Sequence, residues 1–151
     1  MATDGHAVVP LRNYCQSLGY TAFDWGQGFN TGPQGDPGVW LAGLAAHVKR
    51  MPAGRSQRAT LIGWSLGGIY ARELGKLLAP DIKQVITIGR PFNAVQDHAN
   101  VGWLFKLLSG SSPTLAAALR KRLHTPPPVP TTAIYSRSDG VGGMANLPPG
   151  V

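Results

Sequence analysis

Residues 58–68 read R-A-T-L-I-G-W-S-L-G-G, and no other stretch restricts the fold so tightly. The apolar run Thr60, Leu61, Ile62 has strand character and stops at Gly63, whereas from Leu66 onward apolar residues recur at helical spacing through Ile69, Tyr70, Leu74, Leu77 and Leu78. A strand therefore turns sharply into a helix, and Ser65 stands at the corner between Gly63 and Gly67. Small neighbours suit such a corner, because a Cβ on either would run into adjacent chain. In a chain with 20 glycines, G-x-S-x-G arises by composition about one time in seven. The strand before it and the amphipathic helix after it are the context that gives the pattern meaning. The plainer reading is a glycine-rich turn whose serine caps the helix.

If the corner is a nucleophile elbow, its chemistry follows from the backbone. The N-terminal N–H groups of the helix carry partial positive charge that stabilises an oxyanion forming beside Ser65, and Leu66 N–H is the expected first donor.

The remaining chain alternates helices and strands. Val8, Val9, Leu11, Tyr14, Cys15 and Leu18 predict a helix over 7–18, ended by Gly19. A short strand is expected over 20–25, then a glycine-rich loop, then a helix from Asp36-Pro37 to about Arg50. That helix would bury Val39, Trp40, Leu41, Leu44, Ala45 and Val48. Residues 83–88 read as a buried strand, 100–108 and 113–123 as helices, 126–130 as a stiff proline connector and 131–136 as a last strand. Such alternation implies βαβ units, a mostly parallel sheet and helices on both faces, an α/β three-layer sandwich. Functional groups of such sheets lie beyond the C-terminal strand ends, where Ser65, Phe92 and Asp139 fall.

The 151 residues suit one domain with a substantial core, and 43% hydrophobic residues fit a globular chain. The formal charge of +7 is spread along the sequence, apart from Arg120, Lys121 and Arg122. That group reads as a solvated helix end favoured by the helix dipole, and no nucleic-acid motif accompanies it. Cys15 is the single cysteine, which excludes an internal disulfide and a structural zinc site and reads as a buried thiol. The carboxylates Asp4, Asp24, Asp36, Glu73, Asp81 and Asp97 show no ligand spacing, so neither metal nor cofactor is expected. The start M-A-T-D-G-H lacks a basic and apolar leader, and nowhere do about 18 apolar residues run together. On these grounds a soluble, cytoplasmic protein with no integral membrane segment is expected.

The stretches G-W-S-L-G-G-I-Y-A-R and A-I-Y-S-R-S-D-G together resemble the α/β-hydrolase superfamily, more narrowly its bacterial esterase and lipase-like branch, and the match runs over nearly the whole chain. The resemblance implies Ser65 as nucleophile, Asp139 as the acid that orients a histidine, Leu66 N–H as one oxyanion donor, and a helical cap over about 97–125. It also implies a carboxylic ester or lipid-like substrate and an acyl-Ser65 intermediate.

The chain departs from this family in two places. The family order Ser, Asp, His puts the base downstream of Asp139, but the twelve residues left contain no histidine. The family's strand and oxyanion loop before the first helix are also missing. Codons chosen for 143–151 and read in a shifted frame give A-W-Q-T-C-R-L-E, similar to the family's continuation, so residues after about Val141 are expected to be out-of-frame translation. The chain thus reads as an incomplete α/β-hydrolase fold, weakly active or inactive. His6 and His98 are the better surrogate bases; His47 and His124 have ordinary roles on helices. The gap left by the missing strand exposes backbone that seeks another chain, so self-association through sheet edges is expected. Two other readings remain: a non-catalytic module binding an apolar ligand or partner chain, and a phosphate-binding module resting on Arg120, Lys121 and Arg122.

Overall fold

The computed structural model describes residues 5–30, 35–51, 57–89, 122 and 125–134. The chain divides into two compact units, Met1–Ala53 and Gly54–Val151.

In the first unit a 3-10 turn, Gly5–Val8, runs into helix α1, Val9–Ser17. Pro10 sits in its first turn, where a missing N–H costs nothing, and Gly19 at φ 87° closes it. Cys15 on this helix is half-buried rather than buried. Arg12 and Asp24 form an ion pair at 3.1 Å, and the Gln16 side-chain amide donates to the Ala22 carbonyl. Residues 20–25, expected as a strand, form no ladder. Their aromatic content suits a strand, but a strand exists only beside a partner backbone, and here the segment is tied instead to the side chains of α1.

Helix α2, Pro37–Arg50, starts as expected, with Asp36 Oδ1 accepting from Val39 N–H at 2.9 Å. Its buried residues are Leu41, Leu44 and Ala45. Val39 was expected on that stripe and is 73% exposed, because the first turn projects its side chain away from the one face that is covered.

The second unit holds the sheet. Strand β1, Ala59–Trp64, leads through Ser65 into helix α3, Leu66–Leu77, then a 3-10 turn at Ala79–Asp81 and strand β2, Ile82–Ile88; strand β3 is Thr131–Ile134. The order is β1-β2-β3 and both pairings are parallel, so the unit is of the α/β class. Gly63, Thr87 and Ala133 share one register row, and Trp64, Ile88 and Ile134 the next.

α3 packs on β1 and β2, burying Ile69, Tyr70, Ala71, Leu74 and Leu78 with Ile82 and Val85. Leu77, expected on that stripe, is exposed at the end of the helix. Gly75 permits a close approach: a Cβ there would stand 2.8 Å from Val85 Cγ2 and 3.3 Å from Pro127. Helices on both faces are expected of a parallel sheet, yet among the described residues of this unit only α3 covers it. The opposite face leaves Trp64 and Ile134 each 51% exposed and Ile62 40% exposed. The helices expected over 100–108 and most of 113–123, together with the cap, lie outside the described residues.

Candidate functional site at the end of β1

The parallel ladder brings β1, β2 and β3 to a common C-terminal edge. Ser65 N–H donates to the Ile88 carbonyl and Gly89 N–H to the Ile134 carbonyl, both at 2.9 Å, so the ladder continues one step past the strands. Ser65 is held there at φ 53° and ψ −120°. Among the described residues it is the only one other than glycine with positive φ. An L-residue pays about 1–3 kcal/mol for such backbone, which persists only where its surroundings impose it.

The imposing contacts are visible. Ser65 N–H is fixed by Ile88 and its carbonyl accepts from Gly68 N–H at 2.9 Å. Before the corner, β1 passes so close to α3 that a Cβ on Gly63 would lie 2.5 Å from the Gly67 carbonyl carbon and 2.6 Å from Gly68 Cα. Gly63 is therefore obligatory. Gly67, expected to be small for the same reason, has no described atom within 4 Å of where its Cβ would be. The crowding falls on the strand residue because it faces the helix, whereas Gly67 turns outward from the first turn.

Ser65 stands at the N-cap position, but its side chain makes no capping hydrogen bond. The plainer reading of a serine that caps a turn is thus not met; the residue is exposed and its hydroxyl is unused by the helix. Leu66 opens α3 and carries one of the N–H groups that a helix start leaves without an internal partner. Beneath the corner, Thr87 on β2 is fully buried, and its Oγ1 has no hydrogen-bond partner among the described residues.

The other expected site residues divide by position. Asp139, His98 and His124 lie outside the described residues. His6, exposed on the 3-10 turn, and His47, on the last turn of α2, belong to the first unit. His47 Nε2 is buried with no hydrogen-bond partner among the described residues, 2.9 Å from where a Cβ on Gly26 would lie. The described carboxylates of the second unit are Glu73, within α3, and Asp81, just before β2. Neither is at the C-terminal strand ends. The structure thus assembles Ser65, its strained corner and the start of α3.

An ionic cluster on α3 was missed in the sequence. The Glu73 side chain, 8% exposed, accepts from Lys76 Nζ at 2.5 Å and from Arg122 Nε at 2.6 Å. Lys76 also donates to the Arg122 carbonyl, and Arg72 donates to the Thr125 carbonyl at 3.3 Å. Burial lowers Arg72 and Lys76 below their ordinary values, and Glu73 opposes both shifts. Arg122, expected to be a solvated basic residue, is half-exposed and ties the chain ahead of β3 to α3. The i,i+3 spacing of Glu73 and Lys76 was the available signal, but Arg122 is 49 residues away along the chain. Among the described residues no helix is long and apolar enough to cross a membrane.

Compared with known proteins, the chain matches no protein-family model and no curated protein.

Proposed function

We propose that this chain is a serine hydrolase of the α/β-hydrolase kind and that Ser65 attacks carboxylic esters. The observation that carries the reading is the strained, uncapped Ser65 at φ 53° on the C-terminal edge of a parallel sheet. A hydroxyl that caps nothing and is held at an energetic cost has a use other than stability.

In this mechanism Ser65 Oγ bonds to the ester carbonyl carbon and gives up its proton to a base. The carbonyl oxygen becomes an oxyanion near Leu66 N–H at the positive end of α3. Collapse breaks the bond to the alkoxy oxygen, which takes that proton from the base and leaves as the alcohol, giving acyl-Ser65, which water hydrolyses to the acid and free Ser65. Asp139 is the acid of the family pattern, with His98 as the surrogate base.

A fluorophosphonate probe tests the reading directly. Labelling of the full chain at Ser65, abolished by Ser65→Ala, is the expected result. No labelling, with p-nitrophenyl ester turnover unchanged by Ser65→Ala, would favour the second reading. In that reading the module is non-catalytic and binds an apolar ligand, as favoured by the exposed Ile62, Trp64 and Ile134.

A further inference from the structure

We infer that Lys76 and Arg122, backed by Arg72, form a second site on this chain that binds the phosphate group of a small soluble phosphate monoester. The site lies between α3 and the chain ahead of β3, and it is independent of the chemistry proposed for Ser65.

Charge is out of balance around Glu73. Three cations, Arg72, Lys76 and Arg122, gather about this one carboxylate, an excess of two positive charges among the described residues. The cations act on one another. Burial pushes the Lys76 ammonium down, its hydrogen bond and charge interaction with Glu73 raise it, and the charges of Arg72 and Arg122 push it down again. Like charges held together under partial burial repel, and a bound anion relieves that repulsion. The chain has few anions of its own, with seven Asp and Glu against 14 Lys and Arg. Two of the described carboxylates are engaged elsewhere, Asp24 with Arg12 and Asp36 at the start of α2.

Donors remain for such an anion. Glu73 gives one oxygen to each partner, Oε1 to Lys76 Nζ and Oε2 to Arg122 Nε. Lys76 uses a second proton on the Arg122 carbonyl, which leaves a third. Arg122 donates through Nε, and neither of its Nη groups donates to a described residue. The Arg122 side chain is 46% exposed and that of Lys76 15%, so solvent reaches the guanidinium while the ammonium sharing Glu73 with it is largely desolvated. Arg72 is buried and donates to the Thr125 carbonyl, so it contributes through its charge rather than by touching the ligand.

Phosphate suits these groups better than a carboxylate does. A guanidinium matches phosphate oxygens in geometry, and a phosphate monoester carries close to two negative charges at neutral pH, equal to the excess in the cluster. A carboxylate ligand supplies one.

Thermal unfolding of the full chain in inorganic phosphate, glycerol 3-phosphate or acetate, each compared with sodium chloride at matched ionic strength, tests the site. Both phosphates are expected to raise the midpoint in a saturating way, and acetate to leave it unmoved. Arg122→Gln alters a half-exposed side chain, so the variant folds, and it is expected to weaken phosphate about tenfold. Lys83→Gln removes an exposed charge from β2 and is expected to leave the response intact. A readout separate from stability is the NMR signal of the Arg122 Nε–H, expected to shift with phosphate and not with chloride. Phosphatidic acid vesicles distinguish the source of the phosphate. Any binding to them is expected to survive Arg122→Gln; binding that this variant abolishes would overturn the soluble ester in favour of a lipid headgroup. Midpoints that follow ionic strength alone, an equal response to acetate, unchanged phosphate affinity in Arg122→Gln, lost affinity in Lys83→Gln, or an unmoved Arg122 signal would each overturn the inference.

Discussion

Gly63 and Gly67 are symmetric in the sequence about Ser65 and unequal in the structure: the space a Cβ on Gly63 would need is taken by the Gly67 carbonyl, while a Cβ on Gly67 meets no described atom. Gly63→Ala therefore forces backbone against backbone and is expected to cost about 3 kcal/mol. Gly67→Ala is expected to be neutral or to stabilise by about 0.7 kcal/mol through helix propensity. Urea unfolding midpoints of the two variants decide this; equal losses would remove the asymmetry.

Strain at Ser65 makes a second comparison informative. Glycine tolerates φ 53° and alanine does not, so Ser65→Gly is expected to be more stable than Ser65→Ala by about 1 kcal/mol. Both lose fluorophosphonate labelling. Thermal unfolding of the pair measures the strain without reference to activity.

The cluster on α3 predicts unequal effects from its two main partners. Glu73→Gln leaves Lys76 largely buried without its carboxylate and is expected to cost about 3 kcal/mol. Arg122→Gln removes a half-exposed partner and is expected to cost about 1 kcal/mol or less. If the two variants unfold at the same urea concentration, the Lys76–Glu73 contact is not the dominant one.

Burial raises the Tyr70 phenol well above its ordinary 10.0. The neutral phenol is favoured in the folded chain, so its contribution is fully present below pH 10 and is lost as the unfolded chain ionises above it. Stability is expected to fall above pH 10 with a slope approaching about 1.4 kcal/mol per pH unit from this group. Tyr70→Phe removes that part of the slope. Unfolding curves between neutral pH and strongly alkaline buffer test it, and an unchanged slope in the variant would refute it.

Local chemistry in the sequence was enough for the elements whose determinants are local. Asp36-Pro37 starts α2, Gly19 ends the region of α1, and the apolar run into G-W-S-L-G places β1, Ser65 and α3 where they are found. Proline spacing before residue 131 likewise predicts where β3 starts.

What needed tertiary structure was whatever depends on a partner distant along the chain. Residues 20–25 have strand composition and no strand, because ladder hydrogen bonds belong to two backbones and composition describes one. Glu73 reads as an ordinary helical carboxylate until Arg122 arrives beside it. Likewise Gly63 and Gly67 look equivalent in the motif, and only the packing of β1 on α3 decides which of them has no room for a side chain.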